Sequence, residues 1–323
     1  MTPKERAIAA LTLQTPDQVP TFELEFQLEK EMFGKELIPE DLRPQNIGKL
    51  SAAERDKRLN LLAEDFAYIY GELDYAIIPG PYGIGSVTEQ GVSPDLKFLI
   101  KKVRELTAGK RMLGYHGDGT YSITDGEGMS EFAYQIADEP EVVRANANRA
   151  AENAIIRNRH LVEAGIEVSL LCSDYCYNSG PFISPAMFEE FIQPYLAKII
   201  EAAKKDGLYT IKHTDGNIMP ILNQLVECRP HALHSIDPMA GVDIKLVKKL
   251  VGDKVCLAGN VHCAAMQTGT DEEVIASAEY CLTHGKPGGG YIFCTSNVPF
   301  KGMPPERYQM ILDVWKKMRD YNA

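Results

Sequence analysis

Residues 208–259 read LYTIKHTDGNIMPILNQLVECRPHALHSIDPMAGVDIKLVKKLVGDKVCLAG. Three short β-rich runs lie in this stretch, Leu208 to His213, Ala232 to Asp237 and Lys254 to Gly259. Two segments of helical period separate them, Ile218 to Glu227 and Asp243 to Val251. Strands that alternate with helices are joined by crossovers and therefore run parallel. Working outward, similar runs recur at Val19 to Glu23, Tyr75 to Pro79, Arg111 to His116, Glu167 to Ser173 and Gly290 to Thr295. Further helical segments are Pro185 to Lys205, Asp271 to His284 and Pro305 to Arg319. Eight runs predict a single (β/α)8 TIM barrel, an α/β fold, over residues 1–323. A helix precedes the first run as an N-terminal extension. An insertion, Gly80 to Leu99, follows the second. Its GPYGIGS glycines fit neither a dinucleotide nor a phosphate-loop spacing, so it reads as a plain loop.

Local signals support the helices. Thr2-Pro3-Lys4-Glu5 offers a capping box with proline in the first turn, and Thr270 with Glu273 offers another. After Ser184-Pro185, residues Phe188, Phe191, Ile192, Tyr195 and Ile199 form a one-sided apolar stripe, which reads as core packing. Pro194 within it predicts a kink or a split.

Composition narrows the function classes. The chain has 323 residues, 45% hydrophobic and 24% charged, which is ordinary globular material. Its net charge of -11 leaves nucleic-acid binding to a local basic patch, and the densest cluster, Lys101, Lys102 and Arg104, reads as a solvated helix face. Seven cysteines without regular spacing point to a reducing cytoplasm rather than a disulfide framework. The N-terminus lacks a secretory pattern, and no apolar run reaches the roughly 18 residues of a membrane span. A cytoplasmic protein with neither nucleic acid nor membrane as partner is expected.

In a closed parallel barrel, chemistry gathers where the strands end. The first run closes with Glu23 and Glu25, the third with His116 and Asp118, the fourth with Cys172 and Asp174, the fifth with His213 and Asp215. The sixth gives His234 and Asp237, the seventh Asn260, His262 and Cys263, the eighth Cys294. Tyr175 and Tyr177, just past the fourth, suit either an aromatic ligand or rim packing. Taken singly, His234 reads as a satisfied core histidine and Cys172 as a small buried hydrophobe. Cys176, Cys228, Cys256 and Cys281 read as structural. The segment His213-Thr214-Asp215-Gly216-Asn217 stands apart. Spacing of i, i+2 puts His213 and Asp215 on one side of a strand end, and the glycine allows a sharp turn. Such a pair can hold a metal or share a proton. With Cys294 across the mouth it offers three zinc-type ligands.

These landmarks carry a resemblance. The opening TPKERAIAALTLQTPDQVP, then SGPFISPAMFEEFIQPYLAKII, IKHTDGN, LAGNV, GGGYIF and MPPER fall in the order found in the uroporphyrinogen decarboxylase superfamily. Its other main branch is the corrinoid-dependent methyltransferases. The resemblance spans essentially the whole chain and implies the same barrel. Porphyrinogen decarboxylases carry an arginine-rich segment after the first strand to pair a polycarboxylate. Here Phe22 to Phe33 has no arginine, one lysine and four glutamates, Glu23, Glu25, Glu29 and Glu31. The methyltransferase branch shows His-x-Cys-Gly-Asn followed by a distant cysteine, together binding zinc. This chain keeps His213, Gly216 and Asn217, has Asp215 where the first cysteine stands, and offers Cys294 or Asn297 for the second. Exchange of a thiolate for a carboxylate suits an oxygen- or nitrogen-bound methyl group better than a thiol.

The resemblance therefore implies a methyltransferase of the O-demethylase type. It would pass a methyl group from a small donor, a methoxylated aromatic, to the cobalt of a corrinoid (cobalamin-type) cofactor on a separate partner protein. His213, Asp215, Asp174 and His262 are the catalytic candidates, and His213, Asp215 and Cys294 the zinc ligands. Glu23, His116, Tyr175, Tyr177, Asp237 and Asn260 are the substrate-binding candidates. A decarboxylase of a small acid, with Asp174 and His213 handling the proton, is the alternative.

Overall fold

The structure, a computed structural model, describes residues 1–321. Seven strands form one parallel sheet whose neighbours follow chain order. They are β1 (Ile77–Ile78), β2 (Met112–His116), β3 (Val168–Leu171), β4 (Tyr209–His213), β5 (Ala232–His234), β6 (Cys256–Val261) and β7 (Tyr291–Thr295). An eighth stave closes the ring. Thr21 bridges in parallel to Tyr75 on one side and to Phe293 on the other. The Ala76 N–H donates to the Thr21 carbonyl at 2.7 Å, and the Phe293 N–H to that of Pro20 at 2.9 Å. The eight runs and the TIM barrel predicted from sequence are thus present.

Side-chain alternation along each strand divides the core in two. Phe22, Ile77, Met112, Leu170, Ile211 and Ile292 point into the barrel and form one cluster with Ala7, Ala10 and Leu11. These last belong to the first helix, Pro3–Leu11, which plugs the end where the strands begin; its Lys4 N–H donates to the Lys110 carbonyl there. Ile78, Leu113, Leu171, Leu233 and Leu257 face outward beneath the helical ring. Burial of each such aliphatic side chain is worth about 1.5–3 kcal/mol relative to exposure. The opposite end is left to polar side chains.

Helix boundaries follow the local chemistry. Both expected capping boxes form, and Ser51 with Glu54 makes a third at the start of the helix Ala52–Glu72. Around Pro194 the chain divides into Pro185–Phe191 and Gln193–Lys205. The proline lies in the first turn of the second helix, where a missing N–H costs no intrahelical bond. Residues 80–99 are not a plain loop. They hold a two-stranded ribbon, Val87–Thr88 with Gly91–Val92, and the start of the helix Pro94–Leu106. Ser93-Pro94 opens that helix, and Leu96, Leu99, Ile100 and Val103 are its buried stripe. Glycine spacing hid this signal. Among the described residues no helix is long and apolar enough to cross a membrane.

Candidate active site

His213 ends β4 on the interior side, above Ile211. The chain then turns at Gly216, whose φ of +81° favours glycine. A Cβ there would lie 2.4 Å from the Cys176 carbonyl oxygen, so a larger residue does not fit. The turn is tied down on both sides. Gly216 N–H donates to Asp237 Oδ2 at 3.1 Å, and Asn217 N–H to the Tyr177 carbonyl at 2.9 Å. Tyr175 N–H donates to Thr214 Oγ1, and Asp215 N–H to Asp174 Oδ1 at 3.1 Å. The loop after β3 is thereby laid against the loop after β4, with Asp174 beside His213.

His213 Nε2 lies 3.5 Å from Asp174 Oδ1 and 3.8 Å from Asp215 Oδ1. One donor atom from each residue falls within 4.8 Å of the others, the spacing of a metal-ligand group. Ser235 Oγ donates to Asp215 Oδ1 at 2.9 Å, and Asn297 Nδ2 to Asp215 Oδ2 at 2.6 Å. Behind the ring, His213 Nδ1 shares a hydrogen bond with His234 Nδ1 at 2.8 Å. One imidazole must donate and the other accept. When His213 donates, its Nε2 lone pair faces the carboxylates, the form that ligates a metal.

The electrostatics agree with a neutral ring. Burial, then Lys212 and His116, lower the His213 pKa to about 3. Its carboxylate contacts are therefore not ion pairs at neutral pH. Burial, then Asp174 and Asp237, push Asp215 up to about 7, against the relief given by Ser235. Asp174 and Asp215 keep 43% and 31% of their side chains exposed, so the cluster reaches solvent. One imidazole nitrogen and two carboxylate oxygens make a three-ligand set of the kind that leaves a metal an open position. Without thiolate, it suits zinc or a harder divalent ion.

The other sequence candidates divide. Cys294 stands outside the group; it is sealed in the barrel-interior cluster with Ile292. Asn297, just past β7, is the residue that reaches Asp215. His262 caps the helix Cys263–Thr268, accepting from the Ala265 N–H, and lines a separate cavity of about 780 Å³ with Asn260, Ser277 and Tyr280. None of the three cluster residues lines that cavity. Asn260 is buried, donating to the Ile236 carbonyl and accepting from Cys281. Glu23 does not face the mouth. It turns outward beneath the helix Pro305–Met318, where Thr295 and Tyr308 donate to it, and burial raises its pKa to about 8. Tyr175 is fully buried and Tyr177 is exposed. Asp237 holds the Gly216 and Met239 N–H groups. His116 is at the mouth, edge-on to Tyr82 with centroids 4.1 Å apart. His234 is buried as expected, yet its Nε2 has no partner among the described residues.

Sequence reading missed Lys212. It is fully buried, donating to Asp118 Oδ2 at 3.0 Å, to the Ser173 carbonyl at 2.8 Å and to the Leu171 carbonyl at 3.2 Å. Its ammonium lies 4.0 Å from the centre of the Tyr175 ring. Burial alone would raise the Asp118 carboxyl; Lys212 and the Thr120 and Ser173 N–H groups reverse this and hold it well below the usual range. A lysine inside the apolar run LYTIKH was the signal, since such a charge is buried only with partners.

A closed parallel barrel with ionisable groups gathered at its strand ends is an enzyme architecture. Residues 120–318 match the uroporphyrinogen decarboxylase (URO-D) family, and the chain belongs to it. A uroporphyrinogen decarboxylase from Pseudoalteromonas atlantica is 22% identical over 283 residues, covering 76% of each chain. One from Anaeromyxobacter dehalogenans is 23% identical over 228 residues, covering 68% of this chain and 63% of the relative. A methyltransferase from Methanosarcina mazei shares the fold at a TM-score of 0.72 and 18% identity, covering 98% of this chain and 99% of that one.

Proposed function

We propose that this member of the family is a methyltransferase that passes a methyl group from a small methylated donor to the cobalt of a corrinoid carried by a separate protein. One observation carries the reading: His213 Nε2 faces Asp174 and Asp215 at the barrel mouth, with no arginine side chain in contact with any of the three among the described residues. Two carboxylates repel a polycarboxylic porphyrinogen, whereas a neutral or cationic donor is accepted. The fold shared with the Methanosarcina mazei methyltransferase is consistent with this. The unpaired state of all seven cysteines fits a cytoplasmic protein.

In the transfer, the acceptor's electron pair forms the new bond to the methyl carbon while the bond from methyl to oxygen breaks and leaves its pair on oxygen. An alkoxide or phenoxide leaves poorly unless it is protonated or bound to a Lewis acid. With no metal bound, Asp215, whose pKa burial raises to about 7, would deliver that proton. His213, Asp174 and Asp215 would hold zinc, which when bound supplies Lewis acidity at the leaving oxygen. His234 fixes the His213 ring, and Asn297 and Ser235 fix the Asp215 carboxyl.

The test is demethylation of methoxybenzenes by the purified chain with an added reduced corrinoid protein, followed by the cobalt absorbance. Methyl transfer that needs both proteins is expected. Carbon dioxide released from a small acid with no corrinoid protein present would overturn the reading in favour of a decarboxylase.

A further inference from the structure

Two of the three cluster residues are fixed from β4. His213 is its last residue, and the Asp215 carboxyl just beyond is gripped by Ser235 and Asn297. Asp174 is held differently. Strand β3 ends at Leu171, so Asp174 stands in the loop past it, and its carboxyl receives one hydrogen bond among the described residues, from the Asp215 N–H at 3.1 Å. What anchors this residue is its backbone. Ser122, in the loop after β2, uses its hydroxyl in both senses: Oγ accepts from the Asp174 N–H at 2.9 Å and donates to the Asp174 carbonyl at 3.2 Å. The Ile123 N–H donates to that same carbonyl at 2.9 Å. One residue earlier, the Ser173 N–H donates to Asp118 Oδ2 at 3.1 Å and Ser173 Oγ to the Thr120 carbonyl at 3.2 Å. Residues 118–123 thus lie along residues 173–174, and both backbone polar groups of Asp174 close on one side chain.

A hydroxyl has one hydrogen to give and lone pairs with which to accept, so Ser122 can satisfy both groups at once. Without it the Asp174 N–H loses its acceptor, while the Ile123 and Ser173 bonds still keep the two loops together. The Asp174 side chain is partly exposed, so packing alone does not fix its direction. Residues that bind a metal work only when held to within about 0.5 Å of the productive arrangement, and the groups behind them do the holding. We propose that Ser122 is a positioning residue for Asp174: it sets the angle at which that carboxyl meets His213 and Asp215, and so sets the metal affinity of the cluster without carrying the fold. The proposal rests on the reading of those three residues as metal ligands.

Zinc titration of the whole chain, in competition with a coloured chelator, tests it. Ser122→Ala should bind zinc about 10–100-fold more weakly, the loss expected when the partner behind a ligand is removed, with the metal-free unfolding midpoint unchanged. Ser122→Thr keeps the hydroxyl and should restore the affinity. Ser173→Ala removes a hydrogen bond between the same two loops but none on Asp174, and should bind zinc as the unmodified chain does. If Ser122→Ala does not fold, Ser122→Gly is measured in its place. Undiminished affinity on loss of the Ser122 hydroxyl, or an equal loss in Ser173→Ala, overturns the positioning role and leaves the ligand set standing. Absence of zinc uptake by the unmodified chain overturns both.

Discussion

Lys212 and His213 are neighbours on β4 and face opposite ways, into two regions built on opposite terms. Around Lys212 every polar group is answered: Asp118, two carbonyls and a tyrosine ring surround the ammonium, and Asp118 in turn receives the N–H groups of Gly119, Thr120 and Ser173. Around His213 the account is left open. Asp174 and Asp215 stand close together with no cation beside them among the described residues, and Asp215 is forced toward its neutral form. A satisfied buried charge does structural service, while an unsatisfied one marks a place prepared for something else. The Lys212 region also serves the other, because it fixes the Ser173 segment from which Asp174 projects.

The comparison breaks most sharply at His213. Alanine there should reduce methyl transfer on the order of 10³-fold while the thermal unfolding midpoint holds, as expected for a group acting at the reaction centre. A matching loss of stability would move His213 into the structural class. The reverse is expected at Lys212. Methionine leaves Asp118 buried and unpaired, at about 3–5 kcal/mol of stability in urea unfolding. A loss under 1 kcal/mol would show that the pair is not a true anchor.

Glu23 sharpens the contrast, being a buried carboxyl with donors and no cation. Its folded pKa of about 8 lies above the ordinary 4.5, so between these values the folded state holds a proton that the unfolded state has released. Stability contributed by this group is therefore full below pH 4.5 and falls as pH rises to 8, by about 1.4 kcal/mol per pH unit. Glu23→Gln should flatten that slope; an unchanged slope would assign it to other groups. The smallest effect concerns metal. Because Asp215 titrates near pH 7, zinc uptake should release about one proton at pH 6, seen as a buffer-dependent heat, and Asp215→Asn should abolish that release. Buffer-independent heats in the unmodified chain would leave Asp215 outside the ligand set.

The barrel was legible because strand alternation and helix periodicity are local, and each of the eight runs found its stave. His213 and Asp215 were legible through their spacing and the glycine behind them. What failed needed depth or direction. Cys294 has the right parity but is sealed in the interior cluster, and Asn297 reaches the carboxyl because the chain continues past β7 toward the mouth. Parity also cannot say which face of a stave looks inward, and Glu23 took the outer one. His262 was read as a strand end, but β6 stops at Val261 and the next residue caps a helix, a position for which histidine is an uncommon signal. Asp174 was named as a catalytic candidate from its place after the fourth run, but its place beside His213 depends on the loop stitching around Thr214 and Tyr175, which arises only in three dimensions.

The ring is closed at one stave by little more than the pairing of Thr21 with its two neighbours. Two residues on, Glu23 clasps Thr295 across that same junction, through both backbone and hydroxyl. That joint is thus fastened through a carboxyl whose charged form is disfavoured by burial that the Thr295 and Tyr308 donors offset only in part, so the seam between the first and last staves is where the barrel wall carries its own acid.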